Sequence, residues 1–298
     1  MKRQRETIDG VMLFDKPPGL SSNDALQRVK RLLNAAKAGH TGTLDPLATG
    51  LLPLCFGEAT KFSADLLDAD KEYVATARLG VTTTTGDAEG EVVETRPVEC
   101  ARADCEAALA GMTGAAMQVP PMHSALKRDG RPLYELARAG IEVERAPREV
   151  TIYALELLKH EGDTLVFRAS CSKGTYVRTL AEAIGSALGC GAHLIGLRRT
   201  AVAHLRLEQA VTQSALDAMS REERLSCLLP VDALLSTLPG VELDAVLRDR
   251  FVHGQRLAMA CPEGRVRVTD ELGTLLGTAR GNGFVLSPER LISSSRTT

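Results

Sequence analysis

Much of what commonly betrays a function is missing from this chain of 298 residues. No run approaches the ~18–20 consecutive apolar residues of a membrane-spanning helix, so no membrane role is expected. The N-terminal MKRQRETIDG is basic, but no apolar segment follows it, and no secretory signal is expected. The seven cysteines lie between Cys55 and Cys261 without a C-x-x-C pair. An odd count without that spacing speaks against a disulfide framework and against a structural zinc site. A reducing cytoplasm is the expected location. None of the six histidines stands in H-x-x-x-H spacing, and isolated ones such as His160 and His204 read as structural or solvated. Ser124 is not in a G-x-S-x-G elbow. The glycine-rich GHTGTLDPLATG has neither the Lys-Ser/Thr ending of a phosphate loop nor the G-x-G-x-x-G spacing of a dinucleotide site. Its TGTL resembles the D-K-T-G-T of aspartyl-phosphate enzymes. Gly39, however, stands where that motif needs its nucleophilic aspartate, and His40 replaces the lysine. Internal repeats and coiled-coil heptads are also lacking.

What is present describes a globular protein: 44% apolar and 25% charged residues, in a length suited to two domains. The net charge of −2 does not announce a nucleic-acid binder, but the charges are unevenly placed. Residues 25–44, 168–181 and 183–207 contain no acid and hold Arg28, Lys30, Arg31, Lys37, Arg168, Lys173, Arg178, Arg198, Arg199 and Arg206. A chain that is neutral overall can still present one basic face.

Pattern and turn chemistry give the elements. Val11–Phe14 reads as a buried strand ending at Pro17-Pro18-Gly19. Ser21 to Asp24 resembles a capping box opening a helix with the stripe Leu26, Val29, Leu33, for which Gly39 is the candidate stop. Asp45-Pro46 has the form of a helix start, Asp as cap and Pro at the first position. Tyr73–Leu79 is strand-like, Ala101–Ala110 helical. Val150–Leu158 and Leu165–Cys171 form an antiparallel pair around Glu161-Gly162-Asp163. Residues 177–188 and 213–229 read as helices. Residues 118–148 are irregular and basic, with a short helix near 133–139. Such an insertion is more often a lid or binding loop than packing. After Leu238-Pro239-Gly240, the short runs 265–269, 274–279 and 284–286 suggest a small β-rich module. Strands do not alternate strictly with helices. The expected fold is therefore α+β with a large, mainly antiparallel sheet rather than a doubly wound parallel one.

Asp45 is a helix cap, a loop carboxylate or a catalyst. An aspartate ordinarily titrates near pH ~3.9, so at neutral pH it is anionic and is a weak nucleophile that needs no base. In a dry pocket it would protonate unless a cation stood beside it. SKGTYVRTLAEAIG offers Arg178, two residues after Tyr176. In an extended chain both side chains would point to one side.

Several long segments, in order, resemble the tRNA pseudouridine-55 synthases of the TruB type: GVMLFDKPPGLSSNDALQRVKRLL, AGHTGTLDPLATGLLPLCFGEATK, KEYVATARLG, QVPPMHSALKRDGRPLYELARAG and CSKGTYVRTLAEAIGSALGCGAHLIGLRRT. The resemblance implies a pseudouridine synthase catalytic domain over 1–240, with 118–148 as a basic insertion that clamps RNA. It also implies a PUA-like RNA-binding module over 241–298. It implies that Asp45 is the nucleophile, that Tyr73 stacks on the target uracil and helps remove the C5 proton, and that Arg178 pairs with the nucleophile. Tyr176 and Leu197 would line the uridine pocket, His40 would occupy the RNA loop when the base leaves, and Lys16 would support the site. His123 departs from the family, which usually carries tyrosine or phenylalanine there. The implied partner is the T-arm of tRNA and the implied state a monomer. Isomerisation neither gains nor loses atoms, so no cofactor and no metal are implied. A catalytically dead RNA-binding protein of the same fold is the alternative.

Overall fold

A computed structural model describes residues 4–124, 126–128 and 130–293. The run at Val11 forms strand Gly10–Lys16, and its side chains alternate between two cores. Met12 and Phe14 enter one, Val11 and Leu13 the other. It pairs antiparallel with Thr49–Phe56, Gly10 opposite Phe56 and Lys16 opposite Gly50. That second strand is buried from Gly50 onward because both of its faces are covered.

These two strands belong to a ten-stranded sheet. Its path runs Val211–Thr212, Gly10–Lys16, Thr49–Phe56, Ala192–Val202, Lys71–Leu79, Thr164–Cys171, Arg148–Glu161 and Gly114–Gln118. Ala38–His40 and Leu205–Arg206 attach beside it. Two of its pairings are parallel, Gly10–Lys16 with Val211–Thr212 and Thr49–Phe56 with Ala192–Val202; the others are antiparallel. The mixed α and β architecture with a large, mainly antiparallel sheet is the one expected. Helices Ser22–Leu33, Arg102–Ala110 and Val177–Ala187 cover one face, through Leu26, Val29, Leu33, Leu109, Leu180 and Ile184. No helix among the described residues is long and apolar enough to cross a membrane.

Three local expectations need correction. The first helix does start at Ser21, whose hydroxyl accepts the Asp24 N–H at 3.1 Å, but it ends at Asn34, not at Gly39. Asn34 takes the left-handed conformation (φ 57°) that a short polar side chain tolerates, and Gly39 falls in a strand. Asp45 caps no helix. Residues 41–48 form bends that lead into the Thr49 strand, closed by an Ala48 N–H to Asp45 C=O bond of 3.0 Å. Residues 213–229 form two short helices, Gln213–Ala218 and Arg221–Ser226. Ser220 and Glu223 make a capping box between them, which restarts the helix in a new direction.

The segment 118–148 holds a two-residue hairpin, Lys127–Arg128 with Arg131–Pro132, and helix Leu133–Arg138. Arg145 and Arg128 tie it together by donating to the Pro120 and Glu144 carbonyls at 3.1 and 2.8 Å. The C-terminal region is a five-stranded sheet in the order Gly240–Leu243, Gly264–Asp270, Leu275–Gly281, Val285–Leu291, Leu257–Ala258. Helix Ala245–Val252, not expected from the sequence, helps close its core through Phe251 and Val252.

Candidate active site

Asp45 is fixed from both sides. Its predecessor Leu44 is gripped by Ser22, the first residue of a helix: the Leu44 N–H donates to Ser22 Oγ at 2.8 Å, and Ser22 Oγ donates to the Leu44 carbonyl at 3.1 Å. On the other side the Pro46 carbonyl accepts the Gly19 N–H at 2.9 Å and Lys16 Nζ at 3.4 Å. Lys16 is wholly buried and also donates to the Pro17 and Leu20 carbonyls, at 3.0 and 2.6 Å. Burial pulls its pKa down to about 8, while the Asp45 charge opposes that fall. Lys16 thus joins the loop after its own strand to the loop that carries Asp45.

In front of Asp45 lies a cavity of about 360 Å³, lined among others by Tyr73, Tyr176, Arg178, Leu197 and Arg199. Arg178 Nη2 is 3.1 Å from Asp45 Oδ2. The route to this pair differs from strand alternation. Tyr176 is extended (φ −99°, ψ 109°) and caps a helix, and Arg178 projects from that helix's first turn. Gln118 clamps the junction, accepting the Tyr176 N–H at 2.7 Å and donating to its carbonyl at 3.0 Å. Arg178 is almost wholly buried and also donates to the carbonyls of Thr85 (3.0 Å) and His123 (2.6 Å). At the atypical position 123, then, it is the backbone that holds the arginine.

Sequence reasoning missed two residues. Asp87, 2% exposed, places Oδ2 3.3 Å from Arg178 Nη1, so the guanidinium bridges two carboxylates. Thr85 Oγ1 and the Glu89 N–H steady Asp87 Oδ1 at 2.5 and 3.1 Å. The available signal was an aspartate inside the tight TTTTGD loop. The second residue is Arg199, 1% exposed and without a carboxylate partner among the described residues. It donates to the Leu51 carbonyl at 2.8 Å and the Gly42 carbonyl at 3.1 Å. Arg199 is the direct cross-strand partner of Tyr73, and its nearby positive charge favours ionisation of the Tyr73 hydroxyl. The signal was its place two residues after Leu197, hence on the same strand face.

Burial is the first cause of the charge states here. It raises the Asp45 pKa above the ordinary carboxylate value; Arg178 pulls it back, Asp87 pushes it up again, and Lys16 lowers it. Tyr73 is likewise raised by burial and lowered by Arg199. His40 lies outside the cavity lining, on strand Ala38–His40. Its pKa is lowered by burial and by Arg199, and its Nδ1 is buried without a hydrogen-bond partner. The acid-free stretches do not remain unpaired in space. Arg28 meets Asp217, Arg168 meets Glu156, Lys173 meets Asp68 and Arg198 meets Asp15, at 2.6–3.1 Å.

A carboxylate held rigid beside a buried arginine, in a cavity with two tyrosines, suits attack on a flat, neutral ring. Comparison with known proteins gives the same direction. Residues 30–177 match the family model of TruB family pseudouridylate synthase (N terminal domain). Residues 178–236 match the tRNA pseudouridylate synthase B C-terminal domain, and 239–292 the C-terminal model of pseudouridine synthase II TruB. A tRNA pseudouridine synthase B of Burkholderia mallei is 64% identical over 296 residues, covering 97% of this chain and 98% of that protein. The enzyme of that name from Cupriavidus metallidurans is 62% identical over 299 residues, covering 97% of this chain and 95% of that protein. Among solved structures, a chain of a Cbf5-Nop10-Gar1 complex aligns with TM-score 0.74 at 27% identity, over 95% of this chain and 84% of that one. A chain of an H/ACA RNP bound to a substrate RNA containing 2'-deoxyuridine aligns with TM-score 0.71 at 26% identity, over 95% of this chain and 84% of that one. The chain belongs to the TruB family of pseudouridylate synthases.

Proposed function

We propose that this protein converts the uridine at position 55, in the T-loop of tRNA, to pseudouridine, with Asp45 as the nucleophile. The observation that carries this reading is the 3.1 Å ion pair between Asp45 and Arg178 beside Tyr73 in one cavity. The reaction breaks the bond from ribose C1′ to uracil N1, turns the base and joins C1′ to C5. C5 gives up a proton and N1 gains one, so the sum is an isomerisation. Attack on C1′ and attack on C6 both need the Asp45 carboxylate unprotonated. Arg178 favours that form in a site where burial opposes it. Asp87 keeps Arg178 aimed at Asp45 by occupying its other nitrogen.

Tyr73 holds the detached base by stacking, worth ~1–3 kcal/mol per base in nucleic-acid sites. At neutral pH its phenol is protonated, because burial raises its pKa. It can accept the C5 proton only after its own proton has passed to N1, the atom that gains one, and the nearby Arg199 charge lowers the cost of the phenolate in between. Tyr176 and Leu197 wall the pocket, and Lys16 braces the loop that carries Asp45. Extrusion of the target costs a few kcal/mol. His40, with a buried and unpartnered ring nitrogen, suits contact with the loop that the base leaves. In this reading the enzyme works in the cytoplasm. Residues 1–240 form the catalytic domain, 118–148 clamp the T-arm, and 241–298 act as a PUA-like module on the rest of the tRNA.

Incubation with unmodified tRNA and mapping of pseudouridine tests the substrate. One new pseudouridine in the T-loop is expected. Binding without any modification would support the non-catalytic alternative, and modification outside the T-arm would contradict the target.

A further inference from the structure

Away from the catalytic cavity the fold gathers three metal-ligating side chains that the sequence keeps apart. Cys100 lies just before helix Arg102–Ala110 and Cys105 lies inside it. His160 comes from the far end of the long strand Arg148–Glu161, where it pairs with Leu165. The two sulfurs are 3.9 Å apart, and all three ligand atoms lie within 4.8 Å of one another. Two sulfurs about 2.3 Å from one tetrahedral zinc ion stand about 3.8 Å apart, so the thiol pair already has the spacing of a ligand pair. His160 Nε2 is buried and has no hydrogen-bond partner, an unusual state for an imidazole nitrogen. Cys105 is wholly buried, whereas Cys100 is half-buried and borders a cavity of about 660 Å³ lined also by Cys190 and Asp104. An ion and a solvent ligand therefore have a way in.

We propose that Cys100, Cys105 and His160 form a binding site for a thiophilic divalent cation of the zinc class, with solvent as the fourth ligand. Binding replaces two thiol protons: the ion plus two Cys–SH and a neutral imidazole gives the bis-thiolate complex and two released protons. Leu165, opposite His160, is four residues along its strand from Ala169, the partner of Tyr73. At roughly 3.3 Å per residue the site stands about 13 Å along the sheet from the tyrosine. It therefore takes no part in the isomerisation. It ties helix Arg102–Ala110 to the hairpin beneath it.

Cobalt reports on such a site directly. The full chain, reduced with a phosphine and stripped with a chelator, is titrated with Co²⁺. One equivalent should give thiolate-to-cobalt charge-transfer absorption with the intense visible bands of tetrahedral Co²⁺, and Zn²⁺ should bleach both. Cys100→Ser and His160→Gln, at half-exposed positions, should each weaken Co²⁺ binding by about tenfold or more. Both variants should retain wild-type pseudouridine formation, which shows that they fold. Wild-type protein without these bands, or unchanged bands and affinity in the Cys100→Ser/His160→Gln chain, would overturn the proposal.

Discussion

Asp45 is costly to the fold, and the proposed chemistry depends on it. Its pKa is raised in the folded chain, first by burial, so its ionisation opposes folding. The linkage sign follows. The stability tied to its proton is present below the unfolded pKa and is lost as pH rises through the folded value. Asp45→Asn should therefore melt at or above the wild-type temperature at neutral pH, and thermal unfolding showing a drop of several degrees would contradict this. The same shift governs rate. Activity should fall as pH falls through the Asp45 pKa, with a midpoint above the ordinary carboxylate value. Arg178→Gln removes the cation that holds this pKa down, so its residual activity should be lost at still higher pH. A single-turnover pH profile checks both; coincident acid limbs would count against the ion pair. Arg178→Met also strands Asp87, 3% exposed at its side chain, and should cost roughly 3–5 kcal/mol in denaturant unfolding. At this scale Asp45, Tyr73 and Arg178 were legible because each stands in a long motif. Asp87 and Arg199 were not, since a loop aspartate and a strand arginine reveal their roles only through partners distant in sequence.

Among the elements, the junction of strands Thr49–Phe56 and Ala192–Val202 carries the site. Gly50 pairs with Arg199 there and has φ +97°, and a Cβ on it would lie 2.3 Å from the Arg199 carbonyl oxygen. Gly50→Ala should force the strands apart, costing about 1–3 kcal/mol from overpacking and a similar amount from the backbone. It should also lower activity through displaced Arg199. Urea unfolding and the pseudouridine assay read the two effects; a fully stable, fully active variant would refute the junction's role. Strands with alternating or continuous apolar residues were legible, as was the capping box at Ser21. Helix ends were less so. Asn34 took the role expected of Gly39, and Asp45-Pro46 shows that a cap-like dipeptide makes no helix when its neighbours are pinned by Ser22 and Lys16.

Over the whole molecule the two sheets are joined through shared packing. Leu275 and Ile292 of the C-terminal region enter the same apolar cluster as Val11, Leu13 and Phe62. Arg265 bonds Asp65, and Lys61 Nζ donates to the Leu291 carbonyl at 2.9 Å. One cooperative calorimetric transition is expected; two resolved transitions would show that these contacts are weak. Sequence could suggest a β-rich tail but not this seam, which depends on which face each strand turns inward. The acid-free stretches were similarly incomplete guides, because Asp217, Glu156, Asp68 and Asp15 reach their arginines and lysine from elsewhere. In the proposed complex RNA phosphates replace those partners, and binding should still weaken steadily with salt. The proposed nucleophile is tested most directly by Asp45→Asn, assayed in parallel for tRNA binding and for pseudouridine formation. The account predicts wild-type affinity with no pseudouridine; an Asp45→Asn protein that modifies tRNA at the wild-type rate would contradict it.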